Sequence, residues 1–173
     1  DNILPGDVIL GLPSSGLHTN GYSLARKIFF DIAKHNVNDH IDGLEKSVGL
    51  TLLEPHINYT NHVFKALEAG VDIKGIAHIT GGGLIENIPR VLPKSYGAKI
   101  KKDSWPKLPV FEVIQNIGGI EQDEMYRAFN MGIGMVFIVK KDDVNRVKDS
   151  LEDISMVYEI GIIDVDSNGV DIS

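Results

Sequence analysis

Predicted strands and helices follow one another along this chain without strict alternation. Apolar, β-branched runs bounded by Pro, Gly, Asn or Asp predict strands, and apolar residues three or four positions apart predict helices. The predicted strands cover residues 8–12, 73–79, 96–101, 133–139 and 157–165, and the predicted helices cover residues 22–33, 61–69, 84–91, 109–117, 122–129 and 142–151. Because residues 48–69 and 109–129 each hold consecutive helical segments, we expect an α+β fold, with a mixed β-sheet covered by helices, rather than a doubly wound parallel sheet.

The spacing of apolar residues also predicts which helix faces are buried. The residues expected on inner faces are Leu24, Ile28 and Ile32 in the first helix and Val63, Phe64 and Leu67 in the second. Asn61 is expected to cap the second helix. The segment over residues 96–101 alternates between polar and apolar side chains, which predicts a strand at an edge of the sheet.

Length and composition are those of one globular domain over residues 1–173. The chain carries 24 acidic and 17 basic side chains, for a formal net charge of −7. This balance argues against a nucleic-acid groove or an anionic membrane surface, although a few local amides can still form a phosphate site. The sequence has no Cys and no apolar run that could cross a bilayer, which excludes disulfides and thiolate metal sites. Because the chain begins at Asp1 without an initiating Met or a signal segment, we expect an excised domain.

The segment from Leu12 to Ser23 connects the first predicted strand to the first predicted helix and is rich in small polar side chains. A loop at a helix N-terminus offers unpaired N–H groups and the positive end of the helix dipole, which suit an anion. The candidate residues are Ser14, Ser15, Gly16 and Asn20 for substrate binding and His18 for catalysis. His18 can donate a proton or bind the substrate, and Asn20 offers both a donor and an acceptor. The alternative is a solvent-exposed turn with a Ser or Asn cap.

In the segment from His78 to Asn87, a His ends a predicted buried strand and three glycines open a helix. The candidate residues are His78 for catalysis and Thr80, Gly81, Gly82 and Gly83 for substrate binding. Three successive glycines let the backbone approach a ligand closely, at an entropic cost that a plain turn does not require. The spacing matches neither the dinucleotide fingerprint nor the phosphate loop that ends in Gly-Lys-Ser/Thr. For His78 alone, the alternative is a satisfied core residue.

A third segment, from Phe129 to Met135, places two glycines two positions apart at the mouth of the most regular predicted strand. This spacing indicates close approach of another backbone or a ligand, and Asn130 is a candidate substrate-binding residue. The alternative is a β-bulge or tight packing. No metal site is expected, because His18 and His78 lack a carboxylate pair at ligand spacing. The sequence has no G-x-S-x-G nucleophile elbow, so it does not predict a hydrolase of that kind.

Four motifs of at least eight residues occur in order along the chain. They read L-P-S-S-G-L-H-T-N-G-Y-S-L-A-R-K-I, H-I-T-G-G-G-L-I-E-N-I-P-R-V-L-P, S-W-P-K-L-P-V-F and E-M-Y-R-A-F-N-M-G-I-G-M-V. From about residue 5 to residue 165, the chain resembles the C-terminal domain of the phosphoribosylformylglycinamidine cyclo-ligase (aminoimidazole ribonucleotide synthetase) family. Formylglycinamidine synthase, selenophosphate synthetase, thiamine-monophosphate kinase and a hydrogenase maturation factor share the architecture. The second motif points to the cyclo-ligase among them.

The resemblance implies a domain with partial ferredoxin-like topology from a cytoplasmic, homodimeric enzyme of purine biosynthesis. The family enzyme converts formylglycinamidine ribonucleotide to aminoimidazole ribonucleotide. ATP phosphorylates the formyl amide oxygen, the amidine nitrogen attacks that carbon, and phosphate leaves. ATP and Mg²⁺ are expected to be bound mainly by an N-terminal half that brings Lys and Asp residues, so this chain alone is expected to be inactive. By the same resemblance, the amides of Gly81 to Gly83 cradle the ribose phosphate, His18 and His78 bind the substrate or move protons, and Asn20 orients the amide.

The chain departs from the family pattern at residues 53–56, which read Leu-Glu-Pro-His where the family has L-x-P-T. His56 therefore stands in place of a Thr, and any hydroxyl contact at that position is in doubt. Two other functions are compatible with the sequence. The chain could be a stand-alone ligand-binding or regulatory domain that kept the fold and lost the reaction. It could also belong to a paralogous synthetase or kinase that acts on a different amide or phosphate.

Overall fold

The computed structural model describes residues 2–165 and 169–173. Within these residues one sheet contains β1 Val8–Pro13, β2 Gly75–His78, β3 Gly97–Ile100, β4 Ile133–Val139, β5 Tyr158–Asp164 and β6 Val170–Ile172. The helices are α1 Tyr22–Arg26, α2 Val48–Leu52, α3 Thr60–Glu68, α4 Gly83–Asn87, α5 Pro109–Gly118, α6 Gln122–Ala128 and α7 Val144–Leu151. A π-helix over Lys27–Ile32 continues α1, and short 3₁₀ turns over Ile88–Val91 and Lys141–Asp143 adjoin α4 and α7.

The strand order is β2-β4-β1-β5-β3-β6, and every neighbouring pair is antiparallel except β3 and β6. The chain passes through α3 between β1 and β2 and through α7 between β4 and β5, and these two helices pack against each other. Strands β1, β2, β4 and β5 therefore form two interleaved βαβ units, which is the ferredoxin-like arrangement. The expected α+β fold with a mixed sheet is confirmed.

Side chains of β1 alternate between two apolar layers, as the pleat of a strand requires. Val8, Leu10 and Leu12 pack with α3 and α7, whereas Ile9 packs with the helices of the opposite face. That opposite face is covered by α1 with its π-helix, α4, α5 and α6. Because helices cover both faces of this central strand, its candidate site residues can reach a ligand only at its end, where the loops emerge.

Two predicted helix faces were wrong. Ile32 was expected inside but is 55% exposed, because the chain after Arg26 winds as a π-helix. Its wider i→i+5 turn shifts the buried stripe, so that Ile28 and Phe29 enter the core together. The predicted N-cap of α3 was also wrong: Tyr59 occupies that position, and Asn61 lies inside the first turn of the helix.

The second wrong face is that of α3. Phe64 and Leu67 were expected inside but are 57% and 48% exposed. The helix turns His62 and Ala66 inward instead, and Ala66 packs in the same apolar layer as α7. Tertiary packing rather than hydrophobicity therefore selects this face.

The strand predicted at a sheet edge, β3, lies inside the sheet. The short strand β6 pairs with it in parallel, through Ala98 and Val170 and through Ile100 and Ile172. Three residues of alternating polarity were too short a signal to predict β6. Over the described part of the chain, no helix has the length and apolar character needed to span a membrane.

Candidate functional site

The three candidate segments meet at one end of the sheet. Pro13, which ends β1, pairs with Ile133 at the start of β4, and His78, which ends β2, pairs with Met135 of β4. Antiparallel pairing therefore brings together the loop after β1, the loop after β2 and the turn before β4. Sequence reasoning named the three segments but did not establish that they are neighbours.

His18 is almost completely buried, with 2% of its surface exposed, and its backbone has a positive φ of 55°. The N–H of Ser15 donates to His18 Nε2 at 3.1 Å, so this nitrogen is unprotonated and neutral His18 carries its proton on Nδ1. Nδ1 is buried and has no hydrogen-bond partner among the described residues. Burial, followed by the nearby His56 and His78, lowers the pKa of His18 from 6.5 to about 4. His18 is therefore a neutral imidazole at neutral pH.

His56 joins the two histidines that the sequence predicted. Its ring stacks on that of His18, with 4.1 Å between centroids and 19° between planes. Its Nε2 lies 3.2 Å from Nε2 of His78. Burial first and His56 second lower the pKa of His78 below its ordinary value. We call His18, His56 and His78 the histidine cluster.

Gly134 of β4 packs directly against the ring of His18. A Cβ at this position would overlap the hydroxyl of Tyr59 and lie 2.7 Å from Cε1 of His18. The Tyr59 hydroxyl donates to the carbonyl of Pro13 at 2.7 Å, and burial raises the pKa of Tyr59. The two glycines therefore allow other groups to pack closely against this strand. At Gly134 these groups are the rings of Tyr59 and His18 rather than another backbone segment.

The glycine turn, Thr80–Gly83, is held from inside by Asn87. The Asn87 amide nitrogen donates to the carbonyls of Thr80, Gly81 and Gly83 at 2.8–3.3 Å. The Thr80 hydroxyl donates to Asn87 Oδ1 at 3.0 Å. Gly82 and Gly83 have φ of 93° and 58°, and a Cβ on Gly83 would overlap the carbonyl oxygen of Tyr126. These two positions therefore require glycine.

The glycine turn leaves backbone donors available. Gly83 N–H is bonded to the Thr80 carbonyl at 3.0 Å, whereas the N–H groups of Gly81 and Gly82 find no acceptor within residues 2–165 and 169–173. Asn20 lies beside this turn, because its Oδ1 is 3.6 Å from where a Cβ of Gly81 would be. Its Nδ2 is buried and lacks a partner in the described chain. The first two segments therefore place three unpaired N–H donor groups, two backbone and one side-chain, in one neighbourhood.

A carboxylate also lies at the glycine turn. Glu86 of α4 folds back over Gly82, and a Cβ at Gly82 would lie 2.6 Å from Cβ of Glu86 and overlap its carboxylate. The carboxylate of Glu86 repels an anion at Gly82. A phosphate can therefore bind this turn only at the N–H group of Gly81, or where a positive charge compensates for Glu86.

Asn130 ties the loop after β1 to the turn before β4. Its Oδ1 accepts from the Ser14 hydroxyl at 2.9 Å and from Gly132 N–H at 2.8 Å, while its Nδ2 donates to the carbonyl of Gly16 at 2.9 Å. The residue is fully buried. Ser15, unlike Ser14, does not bond to Asn130, and its hydroxyl donates to the carbonyl of Pro55 at 2.5 Å. Ser14, Gly16 and Asn130 thus lie behind the site and position it, and direct contact of these three with a substrate stays a prediction.

Several residues with contacts in the site were not among the predicted site residues, and they include His56, Asn87, Glu86 and Tyr59. His56 was noticed only as a departure from the family pattern, and its contacts depend on tertiary structure. Asn87 and Glu86 lie inside the second motif, where an Asn four residues after a glycine turn was the available signal for a turn clamp.

Comparisons with known proteins agree with this architecture. Residues 5–172 match the family described as AIR synthase related protein, C-terminal domain. A phosphoribosylformylglycinamidine cyclo-ligase of Thermoanaerobacter sp. strain X514 is 50% identical over 171 residues, which are 97% of this chain and 49% of that protein. The enzyme of the same name from Alkaliphilus oremlandii is 46% identical over 144 residues, or 83% of this chain and 42% of that protein. The chain thus spans a little under half the length of these relatives.

Solved structures share the fold at low sequence identity. Thiamine-monophosphate kinase from Stenotrophomonas maltophilia superposes with a TM-score of 0.64 at 19% identity, covering 100% of this chain and 52% of that one. The hydrogenase maturation protein HypE of E. coli gives 0.60 at 17% identity, covering 99% of this chain and 47% of that one. The family match over residues 5–172 and the 46–50% identity to these relatives show that the chain belongs to the AIR synthase related protein family, as its C-terminal domain.

Proposed function

We propose that this chain is the C-terminal half of an ATP-dependent cyclo-ligase that converts formylglycinamidine ribonucleotide to aminoimidazole ribonucleotide. The observation that carries the proposal is the 50% identity, over 97% of the chain, to a relative named phosphoribosylformylglycinamidine cyclo-ligase. The chemistry at the end of the sheet supports it, because the reaction needs groups that bind a phosphorylated amide substrate and accept a proton.

The proposed reaction has two steps. ATP transfers its terminal phosphoryl group to the formyl amide oxygen, with ADP as the leaving group. The amidine nitrogen then attacks the activated carbon, the C–O bond to phosphate breaks, and the nitrogen loses one proton. A neutral imidazole with a free ring nitrogen is suited to accept that proton, and the lowered pKa of His78 favours its neutral form at neutral pH. His18 is also neutral, but its Nε2 already accepts from Ser15 N–H, so its unpaired Nδ1–H is suited to donate to the substrate.

Substrate binding is assigned to the donors beside the histidine cluster. The free N–H group of Gly81 is suited to a phosphate oxygen, and that of Gly82 is too where a positive charge offsets Glu86. The unpaired amide of Asn20 is suited to the substrate carbonyl. Glu86, next to Gly82, is suited to accept hydrogen bonds from the N–H groups of the neutral amidine rather than to bind the phosphate. This division narrows the phosphate cradle predicted over Gly81 to Gly83, since Gly83 N–H is already bonded within the turn.

ATP and Mg²⁺ are proposed to be held mainly by a preceding half of the enzyme, with which this domain forms the active cleft of a homodimer. Among the described residues, no three His, Asp or Glu side chains converge in a way that could hold a metal ion. The donors of this chain therefore fit the substrate better than Mg²⁺, and no step is assigned to a metal bound by this domain. Bound Mg²⁺ would neutralise the ATP phosphates during phosphoryl transfer.

Complementation tests the proposal. This chain is mixed with the separately produced first half of the Thermoanaerobacter relative, and ATP-dependent formation of aminoimidazole ribonucleotide is measured against each part alone. We expect product only in the mixture, and a loss of at least about 100-fold in kcat for His18→Ala, because a residue that exchanges protons or hydrogen bonds with the reacting group typically contributes at least that much. His35→Ala, in the exposed loop over residues 34–47, is the matched control and is expected to retain full activity.

The outcomes separate the candidate functions. Activity of His18→Ala within about twofold of the parent would remove His18 from the mechanism. ATP consumption in the mixture without the ring-closed product would favour a paralogous synthetase or kinase. Association of two folded parts with no ATP turnover would favour a ligand-binding domain that has lost the reaction.

A further inference from the structure

His56 occupies the centre of the histidine cluster, although the family resemblance gives it no role. It lies between α2 and α3, half-buried, with His18 stacked on one face of its ring at 4.1 Å. The ring of His78 lies 5.2 Å away and is tilted by 59°. His56 is therefore the only one of the three that contacts both other members.

Both ring nitrogens of His56 face a group that can donate or accept. Nε2 lies 3.2 Å from His78 Nε2, and Nδ1 lies 3.4 Å from the hydroxyl of Thr19. Two imidazole nitrogens at hydrogen-bond distance need one proton between them. If His56 Nε2 carries it, His78 accepts and Thr19 can donate to Nδ1; if His78 Nε2 carries it, His56 accepts and its Nδ1–H can donate to Thr19. The tautomers of His56 and His78 are thus linked.

We propose that His56 is a positioning residue that couples to His78. The two imidazoles share one proton between their Nε2 atoms and act as a unit when His78 accepts a further proton from a substrate, or donates one to it, at the end of β2. The link to ring closure rests on the proposed function. The coupling itself is a property of this chain and stands without it.

The surroundings favour a single charge on the pair. His18 from the loop after β1 is neutral at neutral pH, and Tyr59 at the start of α3 holds its proton in its bond to Pro13. Glu54 precedes His56 but is paired with Lys46 at 2.6 Å, and β4 contributes the apolar Met135 next to His78. No unpaired carboxylate among these neighbours would stabilise a second proton, so mutual repulsion pushes the second protonation to lower pH.

In ring closure the unit would act as one base. The attacking nitrogen loses one proton to His78 Nδ1, which is free in the tautomer whose Nε2–H donates to His56. The charge of the resulting imidazolium is then shared across the 3.2 Å contact between the two Nε2 atoms. The stack of His56 on His18 would hold the ring plane so that Nε2 keeps pointing at His78. His56 thus orients and tunes His78, which is the group proposed to touch the substrate.

NMR titration of the imidazole resonances of this chain tests the coupling without any assay of activity. In the parent we expect the His78 resonances to titrate in two steps rather than one, because a neighbour shares its Nε2 proton, with one of the two facing Nε2 atoms protonated and the other not at neutral pH. His56→Phe keeps a ring on His18 and removes both nitrogens, so His78 should titrate in one step and as a mixture of tautomers. His56→Gln retains a hydrogen-bonding amide and should restore one tautomer of His78 without restoring the two-step curve. His62, which contacts Tyr59 but not the pair, is the internal reference.

A one-step curve for His78 in the parent chain would overturn the proposal, whether or not the variants fold. So would a His78 tautomer ratio unchanged in His56→Phe. In the complemented enzyme, His56→Phe is expected to shift the acidic limb of the kcat profile and leave KM within about twofold, because binding and proton uptake are separate contributions. If the mixture makes no product while the parent curves are coupled, the proposed function fails and the pairing of His56 with His78 stands.

Discussion

Two loops border the candidate site, and each is held by a buried asparagine of a different reach. Asn130 holds the loop after β1 through bonds to Ser14 and Gly16, which lie 116 and 114 positions away in the sequence. Asn87 holds the glycine turn through bonds to residues 4 to 7 positions away. The first clamp joins distant parts of the fold, whereas the second fastens a turn to its own helix.

This difference separates the tasks of the two loops. The loop after β1 sets the position of His18, so the cluster of rings depends on the correct assembly of β1 with β4. The glycine turn is formed locally and keeps the N–H groups of Gly81 and Gly82 free, because Asn87 bonds to carbonyls of the turn and to the Thr80 hydroxyl but to neither of these N–H groups. Damage to the first clamp should therefore cost global stability, and damage to the second should mainly loosen a ligand-facing turn.

Gly83 is the position of the glycine turn with the least space for a side chain, and a substitution there is expected to have the largest effect on stability. Gly83→Ala forces a Cβ into the carbonyl of Tyr126 at a φ of 58°, and Phe129 O would lie 2.8 Å away. Because two backbone oxygens must move, we expect a loss of more than about 4 kcal/mol in the free energy of unfolding. Gly81→Ala is the control, since its nearest neighbour would be Asn20 Oδ1 at 3.6 Å, and it should change stability by less than about 0.5 kcal/mol. Urea unfolding of both variants measures the difference, and equal losses would mean that the turn is fixed along its whole length.

The clamps themselves come next in expected effect. Asn130→Ala leaves the Ser14 hydroxyl, Gly16 carbonyl and Gly132 N–H without their buried partner, and we expect a loss of about 2–4 kcal/mol. Asn87→Ala removes the donor of three carbonyls, of which that of Gly83 is buried and that of Gly81 belongs to an exposed residue, so we expect a smaller loss of about 1–2 kcal/mol. Thermal and urea unfolding measure both values. If Asn87→Ala lost more stability than Asn130→Ala, then Asn87 rather than Asn130 would be the residue on which global stability depends.

The sequence predicted the parts of the site better than their arrangement. Strands β1 and β4 were predicted within one residue of their ends, because long apolar β-branched runs are strong signals. His18 and His78 were predicted separately, and only the register of β1 and β2 on β4 brings them close. The contacts of His56 follow from how the segment between α2 and α3 packs, which no local pattern encodes. The exposure of Ile32 escaped prediction because a π-helical turn has no distinct periodicity in so short a segment.

The smallest expected effect concerns the loop after β1 and depends on pH. The pKa of His18 is lowered to about 4 in the folded chain and returns towards 6.5 on unfolding. Between these values the unfolded state binds more protons than the folded state, so stability is full above pH 6.5 and falls as pH decreases towards 4. From pH 7 to pH 5 we expect His18 to account for a loss of about 1–2 kcal/mol. Urea unfolding at half-unit pH steps measures the slope.

His18→Asn isolates this contribution, because Asn tolerates the positive φ of 55° at this position and does not titrate in that range. The lowered pKa values of His62 and His78 give the same sign of slope and remain in the variant, so the curve should flatten in part rather than fully. An unchanged slope would mean that His18 takes up a proton in the folded chain as easily as in the unfolded one. The loop would then have to open below pH 6.5, and the long-range clamp at Asn130 would not be what fixes the histidine cluster.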